Sequence, residues 1–242
     1  MALPIVEIVE IQGRSKHGIQ EPYQCIADDG SLYYVKGRQT DRASLCNEWI
    51  CAHLGVHFGL PIPPFRLVHV SEDLLAEVPA NWKSLGSGVA FGSRQHPGCT
   101  WFNKAQAAHV SARLQVDIMA FDWWIKNIDR TEWNPNLLWD AAQSEVVVID
   151  HNLAFHPTFQ EIEFLGSHVF REQWASMDLV ALDALQRRFC VTADAVLDEA
   201  CDNVPPEWHW ANVECDIKSN MDVASVKEAV RRCHSPDFWR FK

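Results

Sequence analysis

The 242 residues are 48% hydrophobic and 22% charged, with only 11 Gly and 12 Pro, a globular composition that suits one large domain or two small ones and excludes a fibrous or disordered chain. Lys and Arg number 21 against 32 Asp and Glu, and the acidic balance holds both in residues 1–92 (7 against 10) and in residues 93–242 (14 against 22). That distribution argues against a broad surface tracking DNA or RNA phosphates, which needs a basic stripe.

Residues 4–11 (PIVEIVEI) and two stretches within 23–37 are predicted strands, the latter two joined at Asp29-Gly30, a dipeptide suited to a tight hairpin. Between the first two strands lies a polar loop bounded by Gly13 and Gly18. A helix follows Thr40 or Asp41, with Leu45, Trp49, Ile50, Leu54 and Phe58 at helical spacing, and Leu60-Pro-Ile-Pro-Pro64 stops it. Residues 65–78 read as a second hairpin and 89–93 as a short strand leaving it. From about Ala105 to Lys126 the spacing of Val110, Leu114, Ile118, Phe121 and Ile125 predicts one helix. The polar stretch 127–136 then gives way to two strand-like pieces, 137–139 and 146–149, followed by Asp150-His151-Asn152. From about Arg171 onward the pattern is helical, interrupted at Pro205-Pro206 and Ser235-Pro236.

No apolar run approaches the ~20 residues of a membrane helix, and the first eleven residues lack the basic start of a signal peptide, so the expected location is cytoplasmic. The eight cysteines are scattered without a C-x-x-C pair, and the eleven histidines form no zinc spacing; reduced, buried thiols are expected and a structural zinc site is not.

The order of elements matches a two-lobed phosphoryl-transfer enzyme, which needs charge neutralised on phosphate oxygens, a bridging metal and a group that orients the attacking hydroxyl. Lys36, ending a strand, can face phosphates, and Glu48 on the next helix can hold it in place. Asp129 can orient the acceptor, while Asn134 and Asp150 offer hard oxygens to Mg²⁺. The Asp-x4-Asn spacing alone is weak, because 17 Asp and 10 Asn make such a pair expected by chance, and Asp122/Asn127 and Asp198/Asn203 share it. Asp129/Asn134 is distinguished by the helix before it and the strand pair delivering Asp150 after it. Arg130 is expected either to bridge to a carboxylate or to hold the loop. Trp123, Trp124 and Trp139 read as core, and Trp133 as a residue that could border the site. The Trp-rich segments at 208–210 and 238–241 are expected to pack on the rear half.

FDWWIKNIDRTEWNPNLL with VVVIDHNLAF resembles the catalytic and metal-binding segments of HipA-like kinases, and YYVKGRQ with LCNEWICAHLGVHFGLPIPP resembles that family's lysine strand and the helix after it, over roughly residues 10–160. The resemblance implies an α+β, bilobal protein-kinase-like fold, with a β-rich N-lobe carrying one main helix (1–92) and a helix-rich C-lobe (93–242), and ATP with Mg²⁺ in the cleft between them. It implies transfer of the γ-phosphate to a hydroxyl, most simply a Ser or Thr of a protein. In this reading Asp129 and Lys36 are catalytic and Asn134 and Asp150 hold the metal. Lys36, Glu48, Gly13, Ser15 and Gly18 serve the nucleotide phosphates, and Phe91 and Ser93 lie near the adenine. It also makes Ser15 a candidate for autophosphorylation. The chain departs from ordinary protein kinases in having His151-Asn152 after the metal aspartate and no H-R-D triplet, A-P-E segment or G-x-G-x-x-G loop. Two alternatives stand beside this reading: another transferase on the same fold, nucleotidyl or small-molecule, or a kinase-shaped binding module with an antitoxin or inhibitor as partner.

Overall fold

The computed structural model describes residues 5–15 and 21–239. Two compact units are present. One takes the chain up to Trp49, Pro63–Pro97 and Asn203–Met221; the other takes Ile50–Ile62, Gly98–Asp202 and the chain from Asp222 on.

The first unit is built on β1 (Val6–Arg14), β2 (Tyr23–Ala27), β3 (Leu32–Lys36), β4 (Phe65–Val70) and β5 (Gly88–Arg94). They close a barrel in the order β1-β2-β3-β5-β4, antiparallel except for the β1–β4 seam, which is parallel. Strand alternation sends Ile8, Ile11, Tyr23, Cys25, Val35, Val68 and Val70 into one buried cluster. The Asp29-Gly30 turn forms as its sequence requires, with Gly30 at φ 75° and Asp29 Oδ1 accepting from the Ser31 amide (2.8 Å). Gly92 is needed for another reason: a Cβ there would come within 2.6 Å of Val68 Cγ1. Helix α1 (Arg42–Phe58) is capped by Asp41, whose Oδ1 accepts from the Ser44 amide (3.0 Å).

Residues 71–78 are not the second strand of a hairpin. They form α2 (Glu72–Glu77), because Ser71 Oγ accepts from the Leu74 amide and Glu72 and Asp73 fill the first turn. Trp208 of the 208–210 segment is also placed otherwise than expected, against β5 in the strand-rich unit. Val89 lies beyond the last β5 residue that β3 pairs; Glu207 accepts from its amide, and its carbonyl accepts from Trp208 Nε1 (2.9 Å). Trp208 is fully buried.

The second unit holds the three-stranded sheet β6 (Cys99–Trp101), β7 (Leu137–Asp140) and β8 (Glu145–Val148). Its helices are α3 (Ala112–Trp124), α4 (Glu161–Ser167), α5 (Leu179–Asp202) and α6 (Val223–Arg231). The helix predicted from Ala105 begins later. A 3-10 turn (Lys104–His109) precedes it, and Ser111 interrupts the pattern by capping the Leu114 amide (3.3 Å). From Ile118 to Trp124 every side chain of α3 is buried, which is why its apolar pattern runs around the whole helix. Trp124 stacks on Phe189 (centroids 4.5 Å apart) and donates its Nε1–H to the Val230 carbonyl (2.8 Å), while Trp123 lies among Phe164, Trp174 and Trp239. Trp123, Trp124 and Trp139 are core residues, as their apolar surroundings in the sequence suggest. Among the described residues no helix is long and apolar enough to cross a membrane.

Candidate active site

In the strand-rich unit the structure brings Lys36 and Glu48 together. Lys36 ends β3, Glu48 lies on α1, and the Lys36 ammonium forms a buried ion pair with Glu48 Oε1. Burying a charge is costly without a partner, so the pair fixes the lysine's place at the strand end. Phe91 is the direct β5 neighbour of Lys36, buried and stacked on Phe65 (6.0 Å); Ser93 lies opposite Tyr34 and Phe65. Both stand inside a strand bonded on two sides rather than in a connecting loop. Gly13 lies within β1, next to an irregularity in its register with β2, and Ser15 is buried with its amide donating to the Pro22 carbonyl (2.8 Å). Gly18 lies outside the described residues.

In the helix-rich unit the loop after α3 is organised around a buried carboxylate that sequence reasoning missed. Asp122 accepts from Asn127 Nδ2 (2.8 Å), Arg130 Nε (2.6 Å) and His168 Nε2 (3.0 Å). Burial alone would raise its pKa, but the Arg130 guanidinium and the His168 hydrogen bond outweigh it and hold the carboxyl well below the usual range. His168 Nδ1 accepts from the Phe170 amide (3.1 Å), so the ring proton sits on Nε2 and the imidazole is neutral, in keeping with burial lowering its pKa.

Arg130 both bridges to a carboxylate and holds the loop. Besides Asp122, its Nη1 donates to the carbonyls of Pro135 (3.2 Å), Asn136 and Ile149 (3.1 Å). One guanidinium thereby ties the end of α3 to the start of β7 and to the residue before Asp150. Asp129 and Asp150, the two carboxylates predicted to do chemistry, are hung from this frame by their backbones.

Asp129 is partly buried, and both Asn134 and Asn136 hydrogen-bond its carboxylate, Asn136 Nδ2 at 2.9 Å from Oδ2. Burial raises its pKa; the two amides pull it down, and the charge of nearby Asp150 pushes it up. Asp129, Asn134 and Asp150 are therefore gathered at one place. Asp150 and Asn136 both adopt left-handed backbone, at φ 62° and 47°, a conformation Asp and Asn tolerate better than most residues. Pro135 favours extended backbone at Asn134, and the Asn134 amide donates to Thr131 Oγ1 (3.1 Å). Trp133, between Asp129 and Asn134, is 96% exposed and contributes nothing to the core.

Asn136 is the second residue the sequence left unread. Its signal was the N-P-N triplet, in which a second Asn next to a predicted metal ligand is well suited to a left-handed turn. Asp122 and His168 had fainter signals: Asp122/Asn127 repeats the Asp-x4-Asn spacing, and here that spacing marks the loop's support.

The model of the HipA-like kinase family matches residues 8–242. The chain belongs to the HipA-like kinase family. Its fold is similar to that of the Helicobacter pylori proinflammatory kinase CtkA, whose crystal structure aligns with a TM-score of 0.58 at 12% identity, covering 96% of this chain and 95% of that one. A structure of the open conformation of CtTel1 is 15% identical over 91% of this chain and 11% of that one, with a TM-score of 0.39, too low to carry an argument. No curated protein matches. This HipA-like kinase is thus a mixed α+β protein whose family is one of phosphotransferases.

Proposed function

We propose that this HipA-like kinase transfers the γ-phosphate of ATP, with Mg²⁺, to a Ser or Thr hydroxyl of a protein. The observation carrying the proposal is the triad of Asp129, Asn134 and Asp150 on a loop anchored by the buried Arg130–Asp122 pair. The donor set fits a small hard dication: it consists of carboxylate and amide oxygens, and the Asp150 charge disfavours ionisation of Asp129, a repulsion a cation would relieve. Asn134 and Asp150 would hold that ion, which when bound neutralises phosphate charge.

Asp129 is suited to orient the acceptor hydroxyl and accept its proton. Its pKa lies above that of a free aspartate, so its carboxylate is a better base than a solvated one, while the Asn136 hydrogen bond fixes its orientation. Lys36, held by Glu48, would supply positive charge to the nucleotide phosphates. The Ser15 amide is already engaged with Pro22, so that N–H would donate to a phosphate only after the bond opens.

Two measurements on the full chain test the reading. A thermal melt with Mg-ATP at about 100 times its dissociation constant should show roughly 2.7 kcal/mol of stabilisation that needs magnesium and shrinks in Asp150→Ala. Parallel incubations with γ-labelled and α-labelled ATP should leave only the γ-label on protein. Absence of any nucleotide-dependent shift in folded, nucleotide-free protein would remove the kinase reading, and α-label on protein would make the enzyme a nucleotidyl transferase.

A further inference from the structure

We propose that Cys190, Cys233 and His234 form a zinc site that fastens the 3-10 turn Arg232–His234 to α5. The sulfurs and one ring nitrogen already lie within 4.8 Å of one another. With Zn–S near 2.3 Å and Zn–N near 2.0–2.1 Å, tetrahedral coordination spaces such ligands by about 3.5–3.8 Å, so the ligand atoms need to close in by no more than about 1.3 Å. The zinc spacings absent from the sequence are absent because the ligands come from two segments more than forty residues apart: Cys190 from α5, Cys233 and His234 from the 3-10 turn Arg232–His234.

Those segments are held before any metal arrives. Gln186 Nε2 donates to the carbonyls of Cys233 (2.8 Å) and Ser235 (2.9 Å), and Cys190 Sγ to the Cys233 carbonyl (3.3 Å). On the same side of the unit α6 is tied to α5 by Arg231 and Lys227, which both reach Asp198 (2.7 and 2.9 Å). A preformed ligand set loses little conformational freedom on binding.

Asp194, one turn after Cys190, lies 3.1 Å from His234 Nε2. Carboxylates in this position keep the proton on the bonded nitrogen and orient metal-bound histidines, which leaves Nδ1 of His234 as the coordinating atom. His234 and Asp194 are substantially exposed, 44% and 68% by side chain, so an ion can enter from solvent and a water can complete the fourth position. The donor set selects the metal class. Two thiolates and an imidazole suit Zn²⁺, whereas Mg²⁺ prefers the oxygens gathered around Asp129. Binding would displace both thiol protons to solvent.

The test uses the full chain, fully reduced and stripped of metal, titrated with Co²⁺ in the absence of nucleotide, so its outcome is independent of the kinase reading. The expected result is one equivalent of Co²⁺ giving thiolate charge-transfer and tetrahedral absorption bands, abolished by one equivalent of Zn²⁺ and absent in Cys190→Ser. Cys233 is buried and its replacement risks misfolding, so His234→Ala and Asp194→Asn, both at exposed positions, complete the series. His234→Ala should weaken Zn²⁺ binding at least 10-fold, and Asp194→Asn about 10–100-fold. Bands that persist unchanged in Cys190→Ser, or reduced protein that binds no Co²⁺, would overturn the proposal. Recovery of a Cys190–Cys233 disulfide from protein that binds no metal after reduction would assign the thiols to redox chemistry instead.

Discussion

Asp122 and Asp129 stand seven residues apart and place the same carboxyl group in opposite settings. Asp122, at the end of α3, is fully buried, ionised against Arg130 and hydrogen-bonded by Asn127 and His168, with its pKa held down. Asp129, in the loop beyond, is partly exposed, has a raised pKa and is met by two amides rather than by a cation. The first is satisfied by the protein; the second is less fully compensated, as its proposed role beside a hydroxyl and a metal requires. Support and the proposed chemistry thus fall to different carboxylates, and Arg130 links their surroundings by binding Asp122 through Nε and the loop carbonyls through Nη1.

The largest expected effect strikes the second carboxylate. Asp129→Asn should lower phosphoryl transfer by about 10²–10⁴-fold while leaving the Mg-ATP melting shift in place, measured as label transferred per minute. Transfer near the wild-type rate would show that Asp129 is not the proton acceptor and dissolve the contrast with Asp122. Asp122→Ala should act the other way round, first on folding. Removing one member of a buried ion pair leaves Arg130 uncompensated, at a cost of about 3–5 kcal/mol in urea unfolding at neutral pH. Because the folded pKa of Asp122 is depressed, its stabilisation is present above the ordinary carboxylate range and lost as pH falls toward the folded value, so wild type and Asp122→Ala should converge in stability in acid.

Candidates for chemistry are easier to pick out of the sequence than the residues that support them. Lys36, Asp129, Asn134 and Asp150 stand out as site candidates because Lys36 ends β3 and the other three lie outside regular elements, where periodicity breaks; Glu48, inside α1, stands out only as an acid on the helix that follows the lysine strand. Their local associations, Lys36 with Glu48 and Asp129 with Asn134 and Asp150, occur in the structure. Asp122 was hidden because it lies in the stretch Ile118–Trp124 of α3, whose other side chains are buried too, and His168 because its partner is 46 residues away. Residues 71–78 misled for a local reason: two leucines flanked by acids fit a strand or a short helix, and the Ser71 cap decides. The 203–221 segment clusters with the strand-rich unit through Glu207 and Trp208, which satisfy the backbone of Val89. No periodicity along the segment encodes that long-range pairing. The Cys190, Cys233 and His234 cluster was invisible for the same reason.

Asn136 offers a finer cut. Its Nδ2 donates to the Asp129 carboxylate, and its carbonyl accepts both from Arg130 and from the Ile149 amide (3.2 Å). Asn136→Gly deletes the side-chain bonds while the left-handed backbone at φ 47° stays unstrained, so the backbone frame should persist and the loss in transfer should be about 10-fold, the size of a hydrogen bond of 1–1.5 kcal/mol. Losing a donor to the ionised form should raise the Asp129 pKa further. The acid limb of the pH–rate profile should accordingly move to higher pH, a displacement that a merely loosened loop would not produce.

The smallest effect decides whether Asp129 really opposes Asp122. A carboxyl whose folded pKa is raised binds more protons in the folded than in the unfolded chain between the two pKa values, so stability falls as pH rises through that window. Above it the ionised Asp129 costs stability, lessened by solvent because the group is partly exposed. Asp129→Asn removes that charge while retaining a side chain of the same shape. The inactive variant should therefore be slightly more stable than wild type at neutral pH, by about 0.5 kcal/mol or less, with the difference vanishing in acid where both side chains are neutral. Paired urea titrations at the two pH values measure it. A variant less stable than wild type at neutral pH would mean that Asn134 and Asn136 fully compensate the carboxylate, making Asp129 a structural group of the same kind as Asp122.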